Sequence, residues 1–271
     1  GDPNTHVQPL CLGLPGTLPV LNKKAFELSL RTALALNCRV PRITTFDRKN
    51  YYYPDLPKNY QISQQYHPLG QDGWLTIHLK DGSEKKIGID NIHLEEDAGK
   101  NVHPEAGRDL GMTYVDLNRA GVPLLEIVSK PDMRSAEEME AYMNTMRSLL
   151  RYIEVSDCKI EEGSIRFEVN CSLLNPDGTL GIKVEIKNIG SMKAAMRALS
   201  YELDRQSECL DRGNCVIQET RLWDDEKGET RSMRSKEGAK DYRYFPDPDL
   251  VPVEVTEEWL EKIRAGLPEL R

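Results

Sequence analysis

Ser164-Ile-Arg-Phe-Glu-Val-Asn-Cys-Ser-Leu173 and Gly181-Ile-Lys-Val-Glu-Ile-Lys-Asn188 alternate apolar and polar residues with a period of two, and Asn175-Pro176-Asp177-Gly178 joins them. That period marks a strand with two unlike faces, and the joining word is turn chemistry, so the stretch predicts a long antiparallel hairpin. Ile165, Phe167, Val169 and Cys171, with Ile182, Val184 and Ile186, make one face apolar. Arg166, Glu168 and Asn170, with Lys183, Glu185 and Lys187, make the other ionic. Two readings of the ionic face stay open on spacing alone. It is a solvated sheet face with weak cross-strand ion pairs, or it is a floor on which cations meet phosphoryl oxygens beside carboxylates that suit magnesium.

Helices flank this hairpin. Upstream, Ser135 and Glu138 form a capping box, and Met139, Tyr142, Met143, Met146, Leu149, Leu150 and Ile153 form one apolar stripe. Glu137, Glu138 and Glu140 near that N-terminus suit the helix dipole and are expected to face solvent. Downstream, a helix is expected from Ser191 to Leu210, with Ala195, Met196, Leu199 and Leu203 inward and Gly213 beyond its end. Near the start, Asn22 can cap a helix bearing Phe26, Leu30 and Leu34 that Pro41 bars from continuing past Val40. The Pro- and Gly-rich first twenty residues read as an ordered loop, and residues 47–60 as a Tyr- and Pro-rich one. A second hairpin, Trp74–Leu79 and Glu84–Ile89, turns at Asp81-Gly82. Hairpins separated by helices, without regular strand-helix alternation, predict an α+β fold with antiparallel or mixed sheets and flanking helices. The 271 residues suit a single domain, with sub-lobes near 1–134 and 135–271.

Composition narrows the function classes. The formal net charge of −8 leaves no broad basic surface for gripping nucleic acid by counterion release, so any RNA contact is expected to be local. The longest apolar run, Val122–Val128, is far shorter than the roughly 18 to 20 residues of a membrane span, and a soluble protein is expected. No signal-peptide pattern opens the chain. The six cysteines, at 11, 38, 158, 171, 209 and 215, form no C-x-x-C pair and read as reduced thiols. No P-loop and no dinucleotide-binding turn occurs, so ATP, if bound, sits in another kind of site. None of the five histidines has a recognisable nucleophile setting, which argues against acyl-transfer hydrolysis.

Carboxylates are the remaining chemistry. Glu95 and Glu96 lie in an acidic cluster that begins at His93, a residue of little weight by itself. Glu126 interrupts the apolar run Val122–Val128, and a carboxylate expected to be buried there needs a cation or an ion pair. The cation is the sharper reading, while Arg119 or Lys130 could serve as a structural partner.

Many separate words carry a resemblance: Leu12-Gly-Leu-Pro-Gly-Thr-Leu-Pro-Val-Leu-Asn22, Phe46-Asp-Arg-Lys-Asn-Tyr51, Tyr60-Gln-Ile-Ser-Gln64 and Glu95-Glu-Asp-Ala-Gly-Lys100. Asp116-Leu-Asn-Arg-Ala-Gly-Val-Pro-Leu-Leu-Glu-Ile-Val128, Glu161-Glu-Gly-Ser164, Glu185-Ile-Lys-Asn188, Gln218-Glu-Thr-Arg221 and Asp241-Tyr-Arg-Tyr-Phe-Pro246 follow in the same order. Together they span nearly the whole chain and resemble the GatB family, the B-type subunits of the aspartyl/glutamyl-tRNA(Asn/Gln) amidotransferases.

The resemblance implies a cradle-shaped catalytic domain, similar to glutamine synthetase in its kinase chemistry. It implies ATP and magnesium as cofactors, and phosphorylation of the side-chain carboxylate of misacylated Glu-tRNA(Gln) or Asp-tRNA(Asn). Ammonia released from glutamine by an amidase (A-type) subunit then displaces phosphate, and a small (C-type) subunit completes the assembly. The compartment implied is the bacterial cytoplasm, or an organellar matrix or stroma, without a membrane partner. Magnesium ligands are expected at Glu96, Glu126 and Glu185, with Glu95 adjacent. Phosphate contacts are expected at Arg166, Lys183, Lys187, Arg221, Arg234 and Lys236, and nucleotide contacts at Lys100 and Arg119.

The chain departs from the family pattern in three ways. It is expected to begin after a Gly-Leu-Glu-Val-His strand that helps hold the metal, and to stop before helical and tail domains used for transfer RNA. Gln8 stands where some members have a zinc-binding partner of Cys11. A catalytically incomplete scaffold that binds the amidase and guides ammonia is therefore the alternative reading.

Overall fold

A computed structural model describes residues 1–102, 112–235 and 241–270, apart from the side chains of residues 234 and 235. In chain order the first elements are α1 (Lys23–Ala35), β1 (Ile43–Thr44), β2 (Asp47–Asn50), β3 (Tyr60–Ser63), β4 (Gly70–His78) and β5 (Glu84–Glu96). There follow β6 (Lys100–Val102), β7 (Tyr114–Asp116), β8 (Pro123–Ser129), α2 (Ala136–Tyr152), β9 (Val169–Cys171), β10 (Val184–Lys187) and α3 (Met192–Asp211). The last are β11 (Glu219–Asp224), β12 (Glu229–Ser235), β13 (Phe245–Pro246), β14 (Val253–Glu254) and α4 (Glu257–Ala265). The fold is α+β, as the hairpin pattern predicts.

Two compact units share these elements. The first comprises Gly1–Leu75, Ile87–Asp132 and Asp241–Arg271, and the second Thr76–Lys86 and Met133–Lys240. In the first unit, Asn22 caps α1 by accepting the Ala25 N–H at 3.0 Å, and Phe26, Leu30 and Ala33 are buried. The helix stops earlier than Pro41 requires, because Asn37 takes up the left-handed conformation (φ 56°) and its N–H bonds the Leu34 carbonyl. Phe26 packs against Trp259 of α4 with ring centroids 5.5 Å apart. That short amphipathic helix has no counterpart among the expected elements.

The reading of residues 47–60 as loop needs correction, since β2 is the centre of a sheet ordered β13-β2-β3. Its residues Asp-Arg-Lys-Asn show no apolar alternation. Ion pairing holds the strand instead: Arg48 Nε lies 3.0 Å from Asp247 and Nη2 2.6 Å from Asp249, with the guanidinium 4.1 Å over the Tyr60 ring. The predicted second hairpin is present as β4 and β5, with Gly82 at φ 84° in its turn. β5 continues to Glu96 and pairs antiparallel with β8.

In the second unit the predicted long hairpin is real but its ladder is short. β9 and β10 pair over Val184↔Cys171, Glu185↔Asn170 and Ile186↔Val169, and an isolated bridge joins Leu174 and Leu180. β10 also pairs in parallel with β11, giving a mixed sheet ordered β12-β11-β10-β9. The apolar face is turned inward as alternation requires. Val169, Ile186 and Trp223 join Met139 and Met143 of α2 and Ala195, Ala198 and Leu199 of α3 in one buried cluster. Ile182 departs from this scheme and is half exposed. Among the described residues, no helix is long and apolar enough to cross a membrane.

Candidate functional site

Strand register builds the site in the first unit. β5 and β8 set His93 directly opposite Glu126, while Glu95, two residues on, shares their face of the sheet. His93 Nε2 lies 3.7 Å from Glu95 Oε2 and 3.6 Å from Glu126 Oε2, and potential ligand atoms of the three all fall within 4.8 Å of one another. Asn91, again on this face, meets His93 Nδ1 through its amide oxygen at 2.8 Å. Asn91 is oriented in turn by donating its amide N–H to Asp90. A carboxamide oxygen only accepts, so Nδ1 is the donor and Nε2 is left aimed at the two carboxylates. Ser63 Oγ donates to Glu95 at 3.3 Å.

These groups line a cavity of about 220 Å³ whose other walls include Lys49, Gln64, Gln65 and Tyr244. Burial by itself would lower the His93 pKa, but hydrogen bonds and attraction from Glu126 and Glu95 outweigh it and push the value up to about 9. A proton on Nε2 thus bridges the carboxylates when no other cation does. Tyr244 is driven up to about 12 by burial and by the negative charges of its neighbours, so its hydroxyl remains a neutral group. The donor set fits a divalent cation. Two carboxylates suit a hard ion such as magnesium, and the imidazole adds a nitrogen that magnesium uses less readily than zinc or manganese do.

The expected carboxylates are distributed differently from the sequence reading. Glu126 is not buried: its side chain is 52% exposed and lines the cavity. Neither Arg119 nor Lys130 is its partner. Arg119 donates to the carbonyls of Ala98 and Gly99 at 3.0 and 2.7 Å and pairs with Asp97, which ties down the loop instead of presenting a free fork to nucleotide. Lys130 pairs with Asp72 at 3.1 Å. Glu96 follows Glu95 directly and so points to the opposite face, where it pairs with Lys58 and accepts the Ile62 N–H at 3.0 Å. It does not join Glu126. Lys100 is exposed in β6, in register with Asp116.

Glu185 lies in the second unit, on the ionic face of the hairpin. Thr220 Oγ1 donates to its Oε2 at 2.8 Å, and Lys187 Nζ stands 3.4 Å from its Oε1 and 3.2 Å from Glu168. Desolvation would lower the Lys187 pKa, but Glu168 and Glu185 more than offset it and the value is raised. Arg166 and Lys183 are exposed on this same hairpin. Arg221 leaves the group. Its register with Ile186 turns it to the helix side of the sheet, where it bonds Glu219 at 2.6 Å and Thr230 at 2.7 Å and lies 3.5 Å from the fully buried Glu202. Arg234 sits in β12 with its backbone in register with Thr220. Lys236 lies outside the described residues.

Sequence reasoning passed over Asn91, Ser63, Lys49, Tyr244 and Thr220, and gave His93 little weight. The signal for His93 was present, since His-x-Glu on a strand puts both side chains on one face. Its pairing with Glu126 depends on which strands become neighbours, and no local pattern encodes that.

Comparison with known proteins concerns the chain as a whole. The chain is 57% identical over 272 residues to the B-type subunit of aspartyl/glutamyl-tRNA(Asn/Gln) amidotransferase from Moorella thermoacetica, covering 100% of this chain and 56% of that protein. Proteins of the same name from Carboxydothermus hydrogenoformans and a Thermoanaerobacter species are 56% and 55% identical, again with 100% of this chain and 56% of the relative covered. The chain therefore spans about half the length of the curated relatives it matches. Residues 1–261 match the family model described as the GatB/GatE catalytic domain, and with a match over nearly its whole length the chain belongs to that family.

Proposed function

We propose that this chain is the activating part of an amidotransferase subunit that prepares a carboxylate on misacylated tRNA for amide formation. A side-chain carboxylate oxygen of Glu-tRNA(Gln) or Asp-tRNA(Asn) attacks the γ-phosphorus of ATP, and the bond to ADP breaks. Ammonia, released from glutamine by a partner amidase subunit, then attacks the activated carbonyl, phosphate leaves, and nitrogen loses a proton. A small third subunit and a bacterial cytoplasmic or organellar setting belong to the same reading.

The observation that carries it is the His93, Glu95 and Glu126 trio on a cavity wall. Glu95 and Glu126 would hold a magnesium ion, and Nε2 of His93, oriented through Asn91, would face it from the same wall. Bound there, the ion would offset the negative charge of the phosphates and help align them. Ser63 restrains Glu95, and Tyr244 offers an uncharged hydroxyl to the same space. Within the second unit, taken by itself, Lys183, Lys187, Arg166 and Arg234 are candidates for phosphate contact, and Glu185, held by Thr220, is a candidate carboxylate.

The test is Glu126→Gln in the assembled full-length enzyme. Phosphorylation of the aminoacyl-tRNA should be abolished while glutamine hydrolysis by the amidase continues. Unchanged phosphorylation would remove the reading and leave a scaffold that guides ammonia as its successor.

A further inference from the structure

The end of α3 brings two cysteines together. Cys209 lies in the last turn of the helix, and the chain folds back over it: the Gly213 N–H bonds the Leu210 carbonyl at 2.9 Å and the Asn214 N–H the Cys209 carbonyl at 3.0 Å. Gly213, at φ 74°, permits that reversal. Cys215 follows directly. The Cys209 thiol donates to the Cys215 carbonyl at 3.5 Å, which puts its sulfur within about 6 Å of the Cys215 Cα by ordinary backbone dimensions. Val216, next along, is buried and anchors the return of the chain, whereas Cys215 is exposed and belongs to no strand or helix. Rotation of its side chain is therefore enough to bring sulfur towards sulfur.

The other four cysteines are not placed to compete. Cys11, Cys38 and Cys158 are buried. Burial pushes the Cys38 thiol up to about 11 and the Cys171 thiol up to about 12, so neither offers a thiolate near neutrality. Cys209 is half-buried and Cys215 exposed, which leaves one sulfur open to an oxidant and a second beside it. Reversible thiol oxidation needs that combination: an accessible thiol to be oxidised and a neighbour to resolve it as a disulfide before it is oxidised further.

We propose that Cys209 and Cys215 form a reversible oxidation site, closing a disulfide across the C-terminal turn of α3 when the protein meets a peroxide. The exposed Cys215 reacts first. Its thiolate sulfur attacks one oxygen of hydrogen peroxide, the O–O bond breaks, and the hydroxide released takes up the thiol proton as water, leaving a sulfenic acid. The Cys209 sulfur then attacks the Cys215 sulfur. The S–S bond forms, the S–O bond breaks, and the departing hydroxide takes the Cys209 proton as a second water. Two thiols are oxidised and one peroxide is reduced. An exposed disulfide is readily attacked by external thiols, which return the pair to its reduced form. The site is independent of the function proposed above.

The test treats the assembled full-length enzyme with a small molar excess of hydrogen peroxide, blocks free thiols with iodoacetamide and digests the product with trypsin. Trypsin cuts after Arg205, Arg212 and Arg221, so Cys209 leaves on the fragment 206–212 and Cys215 on the fragment 213–221. A Cys209–Cys215 disulfide keeps these two fragments joined, lighter than their sum by two hydrogen atoms, and dithiothreitol separates them. The joined species should replace most of the two alkylated fragments after peroxide and be lost again on reduction. Cys215→Ser should abolish it. Cys209→Ser should leave Cys215 without a resolving partner, and its fragment should then carry sulfinic or sulfonic acid. The assignment is overturned if peroxide leaves both wild-type fragments alkylated, if wild-type Cys215 becomes sulfinic acid while Cys209 stays alkylated, or if either cysteine is found joined to a different one. The wild-type digest decides by itself, so the comparison holds even where a serine variant does not fold.

Discussion

Glu202 shows how a single side chain can be decisive for stability without touching the candidate site. It is fully buried in α3 and accepts from Nε and Nη2 of Arg205, at 3.0 and 2.6 Å, the Thr230 hydroxyl at 3.0 Å and the Gln206 amide at 3.1 Å. Arg221, 3.5 Å away and 12% exposed, leans on the same carboxylate. Truncating one member of such a group leaves the others charged and poorly solvated, so Glu202→Ala should destabilise the protein by about 3–5 kcal/mol. Chemical denaturation of the variant checks this, and a midpoint within error of wild type would contradict it. Glu126→Gln, at a half-exposed position, should cost clearly less than Glu202→Ala in the same assay, its loss being the support that Glu126 gives to protonated His93, which separates loss of chemistry from loss of fold. None of the Glu202 network was legible in the sequence. A helix stripe is read from its apolar members, and the polar residues on the inward face reveal themselves only through distant partners, Glu202 through Arg221 of β11 and Thr230 of β12, Gln206 through the Cys171 carbonyl and the Leu173 N–H.

Elements were legible where local chemistry decides them. The caps Asn22 and Ser135 and the faces of the β9–β10 hairpin follow from spacing, and Val169 and Ile186 are buried accordingly. Where distant partners decide, the reading failed. Glu137, Glu138 and Glu140 looked like solvated dipole partners at the start of α2, yet they receive the tip of the β4–β5 hairpin. Glu137 accepts the Lys80 N–H at 2.9 Å, Glu138 meets Lys85 Nζ at 2.8 Å, and Glu140 stands 3.7 Å from Lys80 Nζ. The Lys85–Glu138 pair is the sheltered one, with side chains 30% and 12% exposed. A double-mutant cycle on it should give a coupling of about 1 kcal/mol, against nearly none for Lys80–Glu140. The pair also has a pH signature. Burial would raise the Glu138 pKa, but Lys85 and the Arg134 N–H outweigh it and hold the carboxyl below its ordinary 4.5. A depressed carboxyl contributes stability that is present above 4.5 and lost as pH falls through the folded value. Glu138→Gln should therefore flatten the acid limb of stability against pH and leave the limb above neutrality unchanged. An unaltered acid limb would deny the pairing.

At the scale of the whole chain, the order of segments matters as much as their content. The second unit takes most of its residues from one run, Met133–Lys240, while the first is assembled from the beginning, the middle and the end of the chain. The C-terminal segment supplies β13 to β2, β14 to β1, α4 to α1, and both carboxylates that hold Arg48. It also supplies Tyr244 to the cavity and Tyr242 to Lys49. Removing residues 241–271 should thus cost the first unit its closing strands and the Trp259 ring against Phe26, a loss of about 0.5–1.5 kcal/mol for the aromatic contact alone. The second unit keeps its own cluster around Trp223 and its mixed sheet. Hydrogen exchange read by mass spectrometry should then show protection lost in α1, β2 and β3 and retained in α3, β10 and β11. Uniform loss of protection across both sets would mean that the two units do not hold their structure separately. Retention in β2 would mean that Arg48 and the strand need no C-terminal partner.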